Sequence, residues 1–329
     1  NHSQKFRGRM KKILAAAGWL ILFVAVGCLV MAAVSLGLLR HGVPPWVLLR
    51  LAALGLVPGG LAWVIALVFA ALPGARRAPG AAQSFGLAQG LWAIGGSGLM
   101  LACGAFLPYA AAVYLEMLRR LANLPSHMPD QHDIPLLLAS LLASELLTAL
   151  WLVWYVRRQG PARLQDGSAA GIAWRPAPPR AYGLAALSAL AVLLLVAGEA
   201  AMLPPDSSKL QDLELAQLLQ GPPAIALLAA AVIIVMAPIV EELLFRGLAF
   251  AGIAARLGPG WAVALTTIIF TAVHAPEKIL YPPGFVDVAA VALLSCWLRL
   301  RYRSIRPGMV MHFLYNGSML VVPLMAGGH

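Results

Sequence analysis

A chain of 329 residues that is 61% hydrophobic and only 11% charged, with a mean hydropathy of +0.82, has too little polar material to cover a soluble surface of its size. Composition thus excludes a soluble domain and indicates an all-α, polytopic membrane bundle. The net charge of +11 would fit a nucleic-acid ligand in a soluble protein, but the basic residues flank apolar runs, so no nucleic-acid partner is expected. Cys28, Cys103 and Cys296 lie within such runs without CxxC spacing, which argues against a disulfide framework or a thiolate metal site.

Apolar windows long enough to cross a bilayer fall at residues 13–39, 46–72, 85–108 (extending to 121 if the helix continues past Pro108), 135–156, 181–203, 223–248, 259–275, 284–300 and 307–326. They predict about nine transmembrane helices, or eight if one window is re-entrant. The first run is too long for the apolar core of a secretory signal and reads as a retained span. In the third, Gly95, Gly96 and Gly98 favour close approach of two helices. The Pro/Gly/Arg-rich stretch 157–180 separates a four-span amino-terminal region, residues 1–180, from a five-span carboxy-terminal region, residues 181–329. Between the fifth and sixth windows, residues 204–223 space their leucines for a short amphipathic helix on the outer surface. Basic residues, Arg246 and Arg299 among them, crowd one side of this arrangement and leave Arg40, Arg50, Arg119, Arg120, Lys209 and Lys278 on the other. The positive-inside rule then puts the amino terminus in the cytoplasm and the carboxyl terminus outside, and the Ala/Leu-rich composition points to a bacterial inner membrane.

Ionisable side chains inside spans are the shortest route to function, because each costs roughly 2.5–3.5 kcal/mol on insertion scales. In "VEELLFRG" Glu242 and Arg246 are four apart and share a helix face, as a buried ion pair would. Glu241, rotated by about 100°, is left without an intrahelical partner, so one carboxylate is free for chemistry while its neighbour is neutralised. "FTAVH" places Phe270 and His274 four apart near the end of the following span. "HFLYN" gives His312 and Asn316 a common face, two hydrogen-bonding groups suited either to an oxyanion or to bonding neighbouring helices. Glu145, in an earlier span, reads as a packing contact or part of a substrate path, with packing the favoured of the two.

These three stretches resemble the EExxxR, FxxxH and HxxxN/D motifs of the CAAX-protease and bacteriocin-processing family, intramembrane glutamic proteases related to the Ras-converting enzyme. They occur in the family's order, and "SIRPGMVMH" is similar to the family's approach to its third motif. The resemblance spans residues 172–326. It implies that Glu241 activates water as general base with help from His274, that His312 and Asn316 form an oxyanion hole, and that Glu242, Arg246 and Phe270 support the site. It also implies a membrane-associated or lipid-anchored protein or peptide substrate, with no cofactor and no metal. Such chemistry suits a water-poor cavity, where carboxylates in general become bases near neutral pH.

Two other readings use the same residues. Glu241, Glu242, His274 and His312 offer the donors of a zinc protease, although the sequence has no HExxH. A transporter or other non-enzymatic partner protein would relay protons through buried acids and histidines, and would be expected to show broken helices in two related halves. Depth supplies a further expectation. Counted from the turn at Gly258, Glu241 and His274 both lie about 25 Å in, whereas His312 lies only about 8 Å past Pro307. A bend after Arg246 that lays residues 247–257 along the cytoplasmic interface would bring the three to one level.

Overall fold

The computed structural model describes residues 86–125, 133–206 and 213–326; among these every regular element is helical. The predicted spans at 13–39 and 46–72 lie outside the described residues. In chain order the helices are α1 (Leu87–Leu121), α2 (Ile134–Gln159), α3 (Pro161–Gln165), α4 (Pro179–Met202), α5 (Glu214–Gln220), α6 (Pro223–Leu257), α7 (Pro259–Val273), α8 (Ala275–Lys278), α9 (Gly284–Tyr302) and α10 (Arg306–Ala326). By length and composition α1, α2, α4 and α6 can each cross a bilayer. The 15-residue α7 is apolar but shorter. Of the expected amphipathic segment, α5 is the described part.

Local chemistry sets the boundaries. Asp133 caps α2 by accepting from the Leu136 N–H at 3.1 Å, with Pro135 in the first turn. Between α6 and α7 the chain reverses at Gly258, whose φ of 90° is one that side chains resist, and Pro259 opens the next helix. Pro108 does not interrupt α1, which runs on to Leu121. α1 packs along α2, and Gly96 and Gly104 permit it: a Cβ would come within 2.1 Å of the Trp151 indole at the first and 2.2 Å of the Ser144 backbone at the second.

α6 is the central element. Its first half packs against α2 and α10 and its second half against α1 and α7, while α9 is flanked by α4, α7 and α10. Two stretches of α6, Val232–Met236 and Glu242–Ala249, are wound as π-helix, with hydrogen bonds reaching back five residues. The main apolar cluster gathers Leu243, Leu244 and Leu248 of α6 with Phe270, Val288 and Ile305.

Residues 160–175 are built into that cluster. Ile172 and Ala173 are completely buried, Ala173 accepts from the Ile305 N–H at 3.0 Å, and the Ser304 hydroxyl donates to the Arg175 carbonyl at 2.6 Å. This covering of the α9–α10 turn corrects the expected bend after Arg246. The helix continues through its π stretch to Leu257, and Leu248, Ala249, Phe250 and Ala251 are 0% exposed, packed inside the protein. His312 reaches the level of Glu241 because Ser304 and Ile305, at 0% and 1% exposure, are themselves sunk below the connection.

Candidate active site

Glu242 is completely buried. Its Oε1 has three neighbours: Arg246 Nη1 at 3.3 Å, His312 Nδ1 at 3.3 Å, and the Ser295 hydroxyl, which donates at 3.1 Å. Its Oε2 faces Gly308 of α10, where a Cβ would stand 2.8 Å away, so only glycine leaves room for the carboxylate between the two helices. Arg246 is equally buried, and its Cζ lies 4.1 Å from the centroid of the Phe270 ring. An anion and a π face stand against its charge, although none of its nitrogens makes a hydrogen bond.

Glu241 is placed differently. Its side chain keeps 24% exposure, and its Oε2 lies 3.7 Å from His312 Nε2. The His312 ring therefore stands between adjacent carboxyls, Nδ1 toward Glu242 and Nε2 toward Glu241. Glu242, His312 and Glu241 thus form a short array of ionisable side chains at ion-pair distances.

Phe270 joins the second motif to this array. Its ring meets Phe245 and His312 edge-on, with centroids 5.2 Å and 5.9 Å away, and lies 4.6 Å from the His274 ring. His274 terminates α7, and its Nδ1 is 2.7 Å from the Phe270 carbonyl. Because a carbonyl only accepts, Nδ1 is the donor, which leaves Nε2 as the ring's lone-pair nitrogen when the ring is neutral. His274 reaches the site through Phe270.

Asn316 shares the His312 face of α10, as the spacing predicts, and its Nδ2 donates to the Ile233 carbonyl at 2.9 Å. The π stretch explains the acceptor. The Ala237 N–H reaches back to Val232, so the next carbonyl, that of Ile233, is due the N–H of residue 238, which is proline and has none. Asn316 supplies the missing donor from a neighbouring helix. One of its two amide hydrogens is committed to that bond.

Several contributors carried no recognisable signal in sequence. Ser295 and Gly308 line the Glu242 pocket from helices whose approach only the fold reveals. Glu145 of α2, read from sequence as a packing contact, is close enough to Glu241 for their charges to interact. Arg246 and Arg299, counted by sequence with the cytoplasmic flanks, are instead buried to 0% and 1% exposure. Among the described residues no three His, Cys, Asp or Glu side chains are arranged to hold a metal ion, so the zinc reading has no donor set there.

Fold and site together define a polytopic membrane protein with a carboxylate–histidine cluster set inside an apolar helical bundle. Residues 223–318, which contain all three motifs up to Asn316, match the family model described as Rce1-like, the type II CAAX prenyl endopeptidases. The chain thus carries an Rce1-like domain, of the class of membrane-embedded CAAX endopeptidases, within a multi-pass membrane protein. No curated protein and no solved structure shows a match to it.

Proposed function

We propose that the chain is an intramembrane glutamic endopeptidase that hydrolyses a peptide bond of a lipid-anchored or membrane-associated protein or peptide, with Glu241 as general base. The observation that carries this reading is the asymmetry of two neighbouring carboxylates: Glu242 is sealed and paired with Arg246, while Glu241 is partly exposed and lies 3.7 Å from the imidazole of its bridging histidine. Glu241 takes a proton from water as the water oxygen bonds to the scissile carbonyl carbon. The carbonyl becomes an oxyanion, met by His312 Nε2–H and by the second amide hydrogen of Asn316. When the C–N bond breaks, the proton held by Glu241, with His274 assisting, passes to the leaving amine. Glu242 and Arg246 hold His312 and the helix that presents Glu241.

The test is Glu241→Gln in protein reconstituted with a lipid-anchored peptide. The variant stays folded and monodisperse in detergent but cleaves nothing; turnover at the wild-type rate would refute the assignment. His312→Ala removes one oxyanion donor, a loss that typically costs about 2.7–4 kcal/mol in the barrier, and is expected to lower kcat with little change in KM.

A further inference from the structure

Outside the three motifs, one charged side chain is buried as completely as Arg246. Arg299 of α9 directs its guanidinium at backbone oxygens: Nε donates to the Arg246 carbonyl, and Nη2 donates to Gly171 at 2.6 Å and to Ala169 at 3.4 Å. Its plane rests on Phe250, with Cζ 4.0 Å from the ring centroid.

The Arg246 carbonyl is open for a structural reason. The second π stretch closes at Phe250, whose N–H, due the Arg246 carbonyl in an α-helix, reaches instead to the Gly247 and Phe245 carbonyls on either side of it, and the α-helix resumes there. The carbonyl of Arg246 is so passed over by the ladder. A buried carbonyl without a donor is destabilising, and Arg299 provides one. One turn earlier on α9, Ser295 donates to Glu242, one turn earlier on α6. Both contacts join residues 53 apart, so the helices run parallel and in register as a two-rung ladder. On the far side Nη2 holds the strap at 169–171, and the next residue, Ile172, packs on Gly247.

We infer that Arg299 is a positioning residue of the peptidase site: it fills the carbonyl that the π turn leaves open, ties it to the 169–171 strap, and so sets the height and rotation of the Glu242–Arg246 pair. Through His312, which bridges Glu242 and Glu241, that setting reaches the base. The inference rests on the peptidase reading above for its consequence, but not for its geometry.

Arg299→Lys keeps the charge yet cannot serve Arg246 and Gly171 from one planar fork, and Arg299→Gln removes the charge. Both are compared with wild type and with Arg301→Gln, which alters an exposed arginine two residues on. Rates on a lipid-anchored peptide are expressed per folded, monodisperse molecule. The Arg299 variants are expected to lose kcat by about 100-fold with KM within about twofold, and to shift the pH–rate profile, while Arg301→Gln matches wild type. Wild-type kcat per folded molecule in either Arg299 variant overturns the assignment, and so does failure of both to fold, which would make Arg299 scaffold only. If wild-type protein cleaves no peptide, the peptidase reading fails by itself and hydrogen exchange judges the ladder. Amides at 246–251 should exchange about 10-fold faster in the variants with 259–273 unchanged; equal protection at 246–251 would overturn the ladder too.

Discussion

Removing the positive half of the Glu242–Arg246 pair measures how much the buried charge array matters to the fold. The two groups are 3.3 Å apart, both at 0% side-chain exposure. At an effective dielectric near 20, their attraction at that distance is about 5 kcal/mol. Arg246→Met also leaves Glu242 charged and sealed, although Ser295 and His312 retain part of their hold on it, so a loss of about 3–5 kcal/mol is expected. Glu242→Gln strands the guanidinium over Phe270 to similar effect. The double variant removes both charges together, and a coupling of about 2–3 kcal/mol should separate its loss from the sum of the singles. Unfolding titrations of the four proteins in mixed micelles, followed by helicity, supply the cycle. Losses that add to within about 0.5 kcal/mol would refute a coupled, buried pair.

Three further outcomes follow from the same geometry. Gly308→Ala puts a methyl 2.8 Å from Glu242 Oε2; relief to ordinary contact needs a shift of about 0.6 Å of α10, which carries His312, so overpacking of about 1–3 kcal/mol and a reduced kcat are expected in melting and turnover assays. Asn316→Ala strands the Ile233 carbonyl at a cost of about 1–3 kcal/mol, and adding Pro238→Ala, which restores an N–H, should recover stability without recovering peptidase activity. Recovery of both would make Asn316 purely structural. Exhaustive chelation should leave cleavage of the lipid-anchored peptide unchanged; restoration of lost activity by added zinc would support the metalloenzyme reading instead.

Much of the helix layout was legible because lipid imposes it. The window at 135–156 corresponds to Ile134–Gln159 and that at 181–203 to Pro179–Met202, since long uncharged runs have few other homes. The pairing of Glu242 with Arg246 was legible too, because i,i+4 geometry survives even a local change of winding. What escaped depends on where helices meet. Arg299 sits in "RLRYR", which has the look of a cytoplasmic flank, and nothing local distinguishes it from exposed Arg301. The π stretches were equally hidden: Pro238 announced a missing donor, but not that the ladder would shift by one residue and hand its spare carbonyl to Asn316. The Ser304–Ile305 turn was misplaced because its cover comes from residues 172–175, more than a hundred positions earlier.

The brevity of α7 has a consequence for water supply. Fifteen residues at 1.5 Å each reach about 22 Å, against an average hydrocarbon thickness of about 30 Å. A bilayer accommodates so short an apolar helix by thinning, by flanking residues reaching outward or by packing it beside longer helices, and α7 ends at Val273 with His274 as its cap. Thinning beside α7 would shorten the path by which water reaches the buried carboxylates, whatever chemistry they perform.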